Sequence, residues 1–226
     1  MSILVSPLEG YRMWSRTWES DPSAIVALES RSLAPWLRDL QGKIVVDVSC
    51  GVGRWLAHVK AQGATALGMD LCREMLEEAK KKPGAAGNLA QADTRHLPFR
   101  HGGADLALCA LSIGHISPVE STVSELARIV GPGKALIVSD FHPDGIRRGW
   151  KRTFRSNGQT YEIETHPYTK EFLLECAAQC GLVLEEIAEP CFGAPEKEIF
   201  ERAGKLELFE QVCHFPAVLL ARWTRP

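Results

Sequence analysis

The chain has 226 residues, and its 26 Lys plus Arg against 28 Asp plus Glu give a net charge of -2. That allows one sizeable core with an appendage and no general attraction for a polyanion, so nucleic acid is a disfavoured partner. With 45% hydrophobic and 24% charged residues the composition excludes collagenous, fibrous and disordered classes, and no apolar run approaches the roughly 18 residues of a membrane span. The seven cysteines are odd in number and sit mostly in apolar segments, and the opening residues lack a basic-then-apolar leader pattern. These features give the expectation of a cytoplasmic protein without disulfides or a metal site.

Residues 1 to about 40 place Tyr11, Trp14, Trp18, Ile25, Leu28, Leu33, Trp36 and Leu37 at helical intervals, which predicts a helical cap before the first strand. The β-branched run IVVDV (44–48) predicts a strand, and WLAHVKAQG a helix ending at Gly63. ATALGMD (64–70) follows as a second strand, then a helix through REMLEEAKKK stopped by Pro83 and Gly84, and a weaker strand near 88–92. ADLALCAL (104–111) is a fourth strand, and PVESTVSELARIV a helix for which Ser117 is the expected cap. KALIVSDF is the fifth strand. Apolar strands separated by helix-length segments predict a mostly parallel sheet covered on both faces, an α/β architecture.

From 141 to 168 the rhythm breaks into Gly, charge and aromatics, which reads as an insertion over the sheet with a strand or hairpin near 160–165. A helix through TKEFLLECAAQC ends at Gly181, VLEEIAE follows, and a connecting segment leads to the strand-like FPAVLLARW. No composition break marks a second domain, so residues 1–226 are expected to form one unit.

The densest chemical information is VVDVSCGVGRW (45–55), a strand, a turn with Gly51 and Gly53, and a helix whose first N–H groups lack partners. A pyrophosphate loop reads GxGxxG, but Leu56 stands three residues after Gly53 and Asp47 lies within the strand, so phosphate is the poorer ligand. Asp70 closes the second strand, where a carboxylate can accept hydrogen bonds from both hydroxyls of a ribose.

This arrangement resembles motif I of the class I S-adenosylmethionine-dependent methyltransferases, a strand followed by DxGCGxG. Asp47, Cys50, Gly51 and Gly53 match, and Ser49 occupies the place of the first glycine, which ordinary dihedrals there would accommodate. Asp93 in QADTRHLPF is similar to the residue that meets the adenine amino group. CALSIGHI after the fourth strand and RIVGPGKALIVSD continue the resemblance over roughly residues 10–140. It implies a Rossmann-like sheet of seven strands, six parallel and the last antiparallel, and S-adenosylmethionine held by Asp47, Ser49, Cys50, Gly51, Gly53, Asp70, Leu71, Asp93, Thr94 and Leu111. Tyr11 and Trp14 resemble the aromatics that close over the cofactor in members acting on small molecules.

The expected reaction is methyl transfer to a small-molecule acceptor, which needs positioning and exclusion of water more than a covalent residue. His115, His142 and His166 follow strands on the ligand side and are the candidate bases for an acceptor that must lose a proton. RRGWKRTFR (147–155) joins basic and aromatic residues, so Trp150, Arg152 and Arg155 are candidates for holding an anionic acceptor or an acyl group on a carrier protein; a solvated surface turn is the competing reading. The segment Leu111–His115 lacks the Asn/Asp-Pro-Pro-aromatic run of enzymes that methylate nucleic-acid bases and resembles the type 11-like, small-molecule branch. A protein that binds the cofactor without transfer is the alternative of a different class.

Overall fold

The computed structural model describes residues 2–20, 22–82 and 88–226. It begins with a short strand, β1 (Ile3–Val5), where helix was expected. Helix α1 (Pro7–Trp14) follows, with Ser6 Oγ accepting from the Glu9 amide, and then α2 (Ala24–Leu33), capped in the same way by Ser23. The repeating units are β2 (Ile44–Val48), α3 (Arg54–Ala61), β3 (Thr65–Asp70), α4 (Arg73–Ala79), β4 (Leu89–Gln91), β5 (Ala104–Ala110), α5 (Val119–Ile129) and β6 (Val130–Phe141). The residues expected to stop α4, Pro83 and Gly84, lie outside the described residues. The N-cap of α5 is Pro118 without a side-chain bond, so Ser117 does not cap it.

Beyond β6 come α6 (Pro143–Arg147), β7 (Arg152–Ser156), β8 (Gln159–Ile163), α7 (Lys170–Gln179), β9 (Val183–Ala188), α8 (Ala194–Arg202), α9 (Leu206–Val212) and β10 (Val218–Arg225). Strand β8 occupies the stretch expected near 160–165, and it is the second arm of a hairpin with β7, where Asn157 (φ 49°) and Gly158 (φ 76°) supply the two-residue turn with positive φ that right-twisted strands favour. The stretch read as a connecting segment holds α8 and α9.

Seven strands form one sheet in the order β4-β3-β2-β5-β6-β10-β9, and β10 runs antiparallel to both β6 and β9 while the others are parallel. This is the expected Rossmann-like mixed sheet of six parallel strands with the last in sequence reversed. Alternation along the strands divides the core between two layers. Val46, Ala107, Cys109, Leu136 and Val138 pack with α5 and α7. Val45, Leu106, Leu108, Ala135 and Ile137 pack with α2 and α3. Asp47 has the parity of Val45 and so faces the α2–α3 layer.

A second sheet, β1-β8-β7, stands apart, with β1 parallel to β8 in the register Ile3↔Tyr161 to Val5↔Ile163. Helix α1 lies on it at Gly10, where a Cβ would come within 2.9 Å of Ile163 Cγ1. Val5, Phe154 and Ile163 form its small core, and Trp14 stacks on Phe154 at 5.1 Å between ring centroids. β1 and α1 of the N-terminal cap are therefore one structural piece with the β7–β8 hairpin of the insertion, while α2 packs on the main sheet.

Candidate active site

From β2 the chain proceeds outward to β3 and β4, then returns to β5 and β6 on the other side. The strand order therefore reverses beside β2, and an open α/β sheet forms its ligand crevice at that point beyond the carboxyl ends. A cleft of about 530 Å³ occurs there.

Its floor is the loop after β2. Ser49, Gly51 and Gly53 all have positive φ (60°, 54° and 76°), alternating with Cys50 and Val52. Ser49 thus takes a glycine conformation, and the ordinary dihedrals expected of it are not found; an L-residue is strained there by roughly 1–2 kcal/mol. Leu111, at the end of β5, is held at φ 54° in the same cleft. Asp70 ties the loop down, its two carboxylate oxygens accepting from the amides of Gly51 (2.9 Å) and Cys72 (2.8 Å), while burial pushes its pKa up. Asp47 is buried with Oδ2 unpartnered. Burial raises its pKa to about 8, Arg54 opposes the rise, and Asp70 and Glu29 add to it.

A model of the family described as methyltransferase domain matches residues 46–138, the stretch that carries this loop and the strand ends around it. Residues 46–138 thus match the type 11-like methyltransferase domain, and the fold around them is that of the class I S-adenosylmethionine-dependent methyltransferases. A demethylmenaquinone methyltransferase of Thermus thermophilus is 32% identical over 106 residues, 45% of this chain and 48% of that protein. A malonyl-[acyl-carrier protein] O-methyltransferase of Hamiltonella defensa is 31% identical over 138 residues, 60% of this chain and 49% of that protein. The chain spans about half, or less, of the length of the curated relatives it matches. A crystal structure of an S-adenosylmethionine-dependent methyltransferase from Mesorhizobium loti superposes with a TM-score of 0.71 at 22% identity, covering 90% of this chain and all of that one.

The cleft is lined by Asp47, Ser49, Cys50, Gly51, Asp70, Leu71, Asp93, Thr94, Leu111, Tyr11 and Trp14 among the residues expected at a cofactor. Gly53 lies behind it as the N-cap of α3, where its Cβ would meet Ala79 at 3.2 Å. Asp93 is gripped by Arg95, with Nη2 2.6 Å from Oδ2, and this contact lowers its pKa. Thr94 is buried against Thr122.

The three histidines part company. His115 lines the cleft; Nδ1 lies 2.9 Å from the Glu164 carbonyl and Nε2 2.9 Å from Tyr11 Oη. A carbonyl only accepts, so Nδ1 carries the proton and Nε2 receives the Tyr11 hydroxyl. Burial, then the nearby Arg152, push the imidazole well below its ordinary pKa and keep it neutral. His142 is buried outside the cleft lining, accepting at Nδ1 from the Asp144 amide and bonded at Nε2 to Glu189 (2.8 Å). His166 lies behind Gly114, its amide donating to the Gly114 carbonyl, and it too is outside the cleft lining.

Trp150 and Arg152 reach the cleft, whereas Arg155 is exposed on β7 and outside its lining. Arg152 is buried, ion-paired with Asp140, donates to the Leu111 carbonyl (2.6 Å) and stacks over Phe141. The Asp140 carboxylate also accepts from the Gly114 amide and from Tyr168 Oη, so this pair joins the insertion to the ends of β5 and β6.

Sequence reasoning missed two contributors. Glu29 of α2, fully buried, accepts from Trp55 Nε1 and Ser139 Oγ and pairs with Arg54 at 2.8 Å, fixing Arg54 in the cleft wall. Helices α8 and α9 supply Phe200, Leu208 and Val212. The Pro195 start and the helical spacing of Phe200, Phe209 and Val212 were the available signals.

Proposed function

We propose that the protein transfers a methyl group from S-adenosylmethionine to an oxygen of a small-molecule acceptor, and that Tyr11 and His115 together take up the acceptor's proton. The observation that carries this reading is the Tyr11–His115–Glu164 chain, aimed into the same cleft as the unpartnered carboxylate of Asp47.

The residues present fit the cofactor. Asp47 offers a free buried acceptor for its ammonium, Asp70 retains a lone pair on each oxygen for ribose hydroxyls, Leu71 gives an apolar face half open to the cleft, and a Cβ at Gly51 would meet nothing within 4 Å. Tyr11 and Trp14 close the cleft from α1, with Ser49, Cys50, Thr94 and Leu111 beside the strand ends. When bound, the cofactor supplies an electrophilic methyl on a sulfonium.

The protein positions and desolvates the nucleophile. The acceptor's O–H donates to Tyr11 Oη as the tyrosine proton moves to His115 Nε2, and the Glu164 carbonyl holds Nδ1–H. A neutral imidazole of low basicity suits a proton that is already acidic, as in a phenol, an enol or a carboxylic acid. Arg152, beside Tyr11, steadies the negative charge that develops on oxygen; its pull opposes the burial that otherwise raises the tyrosine pKa.

Methyl-labelled S-adenosylmethionine, the purified protein and a cell extract divided into small-molecule and macromolecular fractions test this reading. Label entering the small fraction, lost with Asp70→Ala and with His115→Ala, is the expected result. Label confined to protein or RNA, or cofactor binding with no transfer to either fraction, overturns it.

A further inference from the structure

The part of the cleft lined by α2, α8 and α9 is built differently from the loop after β2. Its walls are Ile25 of α2, Trp150 and Phe192, then Phe200, Leu208 and Val212 of α8 and α9. These segments lie outside residues 46–138, so the family match says nothing about them. The chamber is fastened rather than loose. Trp150 stacks on Phe192 at 6.0 Å, Phe192 meets Phe200 at 5.3 Å and Phe200 meets Phe209 at 5.7 Å. The fully buried Glu196 of α8 receives Arg31 of α2 through two bonds of 3.1 and 2.9 Å. Leu208 remains 43% exposed although it lines the cavity, a wall without a partner in its own core.

Four cations line the whole cleft. Arg54 pairs with Glu29, Lys151 with Glu162 and Arg152 with Asp140. Lys205, exposed between Phe200 and Leu208, has no carboxylate partner among the described residues. A cation without a counterion at the edge of an apolar chamber is complementary to an anionic group carried on an apolar body.

We infer that the acceptor is an amphiphile, with an apolar body in the α2–α8–α9 chamber, an anionic group at Lys205, and the oxygen to be methylated beside Tyr11. The placement of that oxygen rests on the methyl-transfer reading; the chamber and Lys205 stand without it.

Decanoate and decanol, titrated against the full chain by calorimetry and by fluorescence of the tryptophans, separate the body from its charge. Decanoate is expected to bind more tightly than decanol. Lys205→Ala should weaken decanoate about three- to fivefold, the range of an exposed ion pair, and leave decanol unchanged. Leu208→Glu, at a half-exposed position whose replacement spares the core, should weaken both ligands, decanoate by about tenfold or more through lost apolar contact and like charge. S-adenosylmethionine is titrated in parallel on every variant. Decanoate that binds no better than decanol, that fails to bind at millimolar concentration, or that ignores both substitutions overturns the inference. Loss of cofactor binding with the decanoate pattern intact counts against the methyl-transfer reading and leaves the chamber assignment standing.

Discussion

The parts of the cleft proposed to hold the cofactor and the acceptor are made by different physics. Around β2, β3 and β5 the surface is shaped by backbone: three positive-φ residues in five positions, amides held by Asp70, and a carboxylate left unpaired. The wall of α2, Trp150, α8 and α9 is instead side-chain bulk on helices held in place by aromatic contacts and by one ion pair whose Glu196 is buried while Arg31 is half exposed. A backbone cradle admits one kind of ligand and tolerates few substitutions; a side-chain wall can be repacked without disturbing the sheet. On the proposed reading, recognition of the common reactant and choice of the variable one are separated within one cavity.

That division can be broken most severely where the two halves meet. His115→Ala and Tyr11→Phe should each lower kcat about 100-fold, the lower range for loss of a proton-transfer group. Calorimetry should show cofactor Kd changed little in both, and unaltered turnover would return the pair to a purely structural role. With the imidazole held well below its ordinary pKa of 6.5, kcat/KM for the acceptor at saturating cofactor should stay flat from pH 6.5 upward and fall only in more acid solution.

Next in size is Asp70→Ala, which removes the acceptor for two loop amides as well as for a ribose. Cofactor Kd should rise about 30-fold, roughly 2 kcal/mol, while decanoate binding in the other half is unaffected. Equal weakening of both ligands would show that the halves are not separable.

Asp47 gives a pH signature. Its folded pKa of about 8 exceeds the ordinary 3.8, so the free protein takes up a proton on folding. The stability this contributes is present below pH 3.8 and is lost as pH rises through about 8. Asp47→Asn should flatten that slope in thermal melts. A cofactor ammonium favours the ionised form, so cofactor affinity should increase with pH up to about 8, with release of up to one proton measurable by titration in buffers of different ionisation enthalpy. The smallest effect is Ser49→Gly, which relieves the left-handed serine and should raise Tm by about 2 °C; a lower Tm would mean that the serine hydroxyl has an undetected role in the loop.

The same division explains what was legible in the sequence. Strand–turn–helix alternation and the Asp47 to Gly53 spacing are local, so the parallel sheet, its loop and Asp70 followed from pattern, while the reversed last strand, Asp93, Thr94 and Leu111 came from the family resemblance. The positive φ of Ser49 was not legible, because the surrounding glycines and Asp70 impose it on a residue that does not prefer it. His142 and His166 were plausible because they follow strands, yet each finds partners outside the cleft; only the approach of α1 brings a tyrosine to His115. The acceptor wall was hidden for a different reason. Phe200 and Leu208 are distant in sequence from Ile25 and Trp150, and apolar periodicity alone does not tell a face turned to the core from one turned to a cavity.

The three-residue strand β1 also bears on how the molecule is made. Its hydrogen-bonding partner is β8, so Ile3–Val5 must wait, unpaired, until Tyr161–Ile163 has left the ribosome. The parallel units from β2 to β6 can pair before then, leaving the roof over the cleft, with Tyr11 in it, among the late events of synthesis. A stalled or truncated chain ending near residue 150 would carry the cofactor loop but leave β1 without its partner strand, an apolar edge available to other chains.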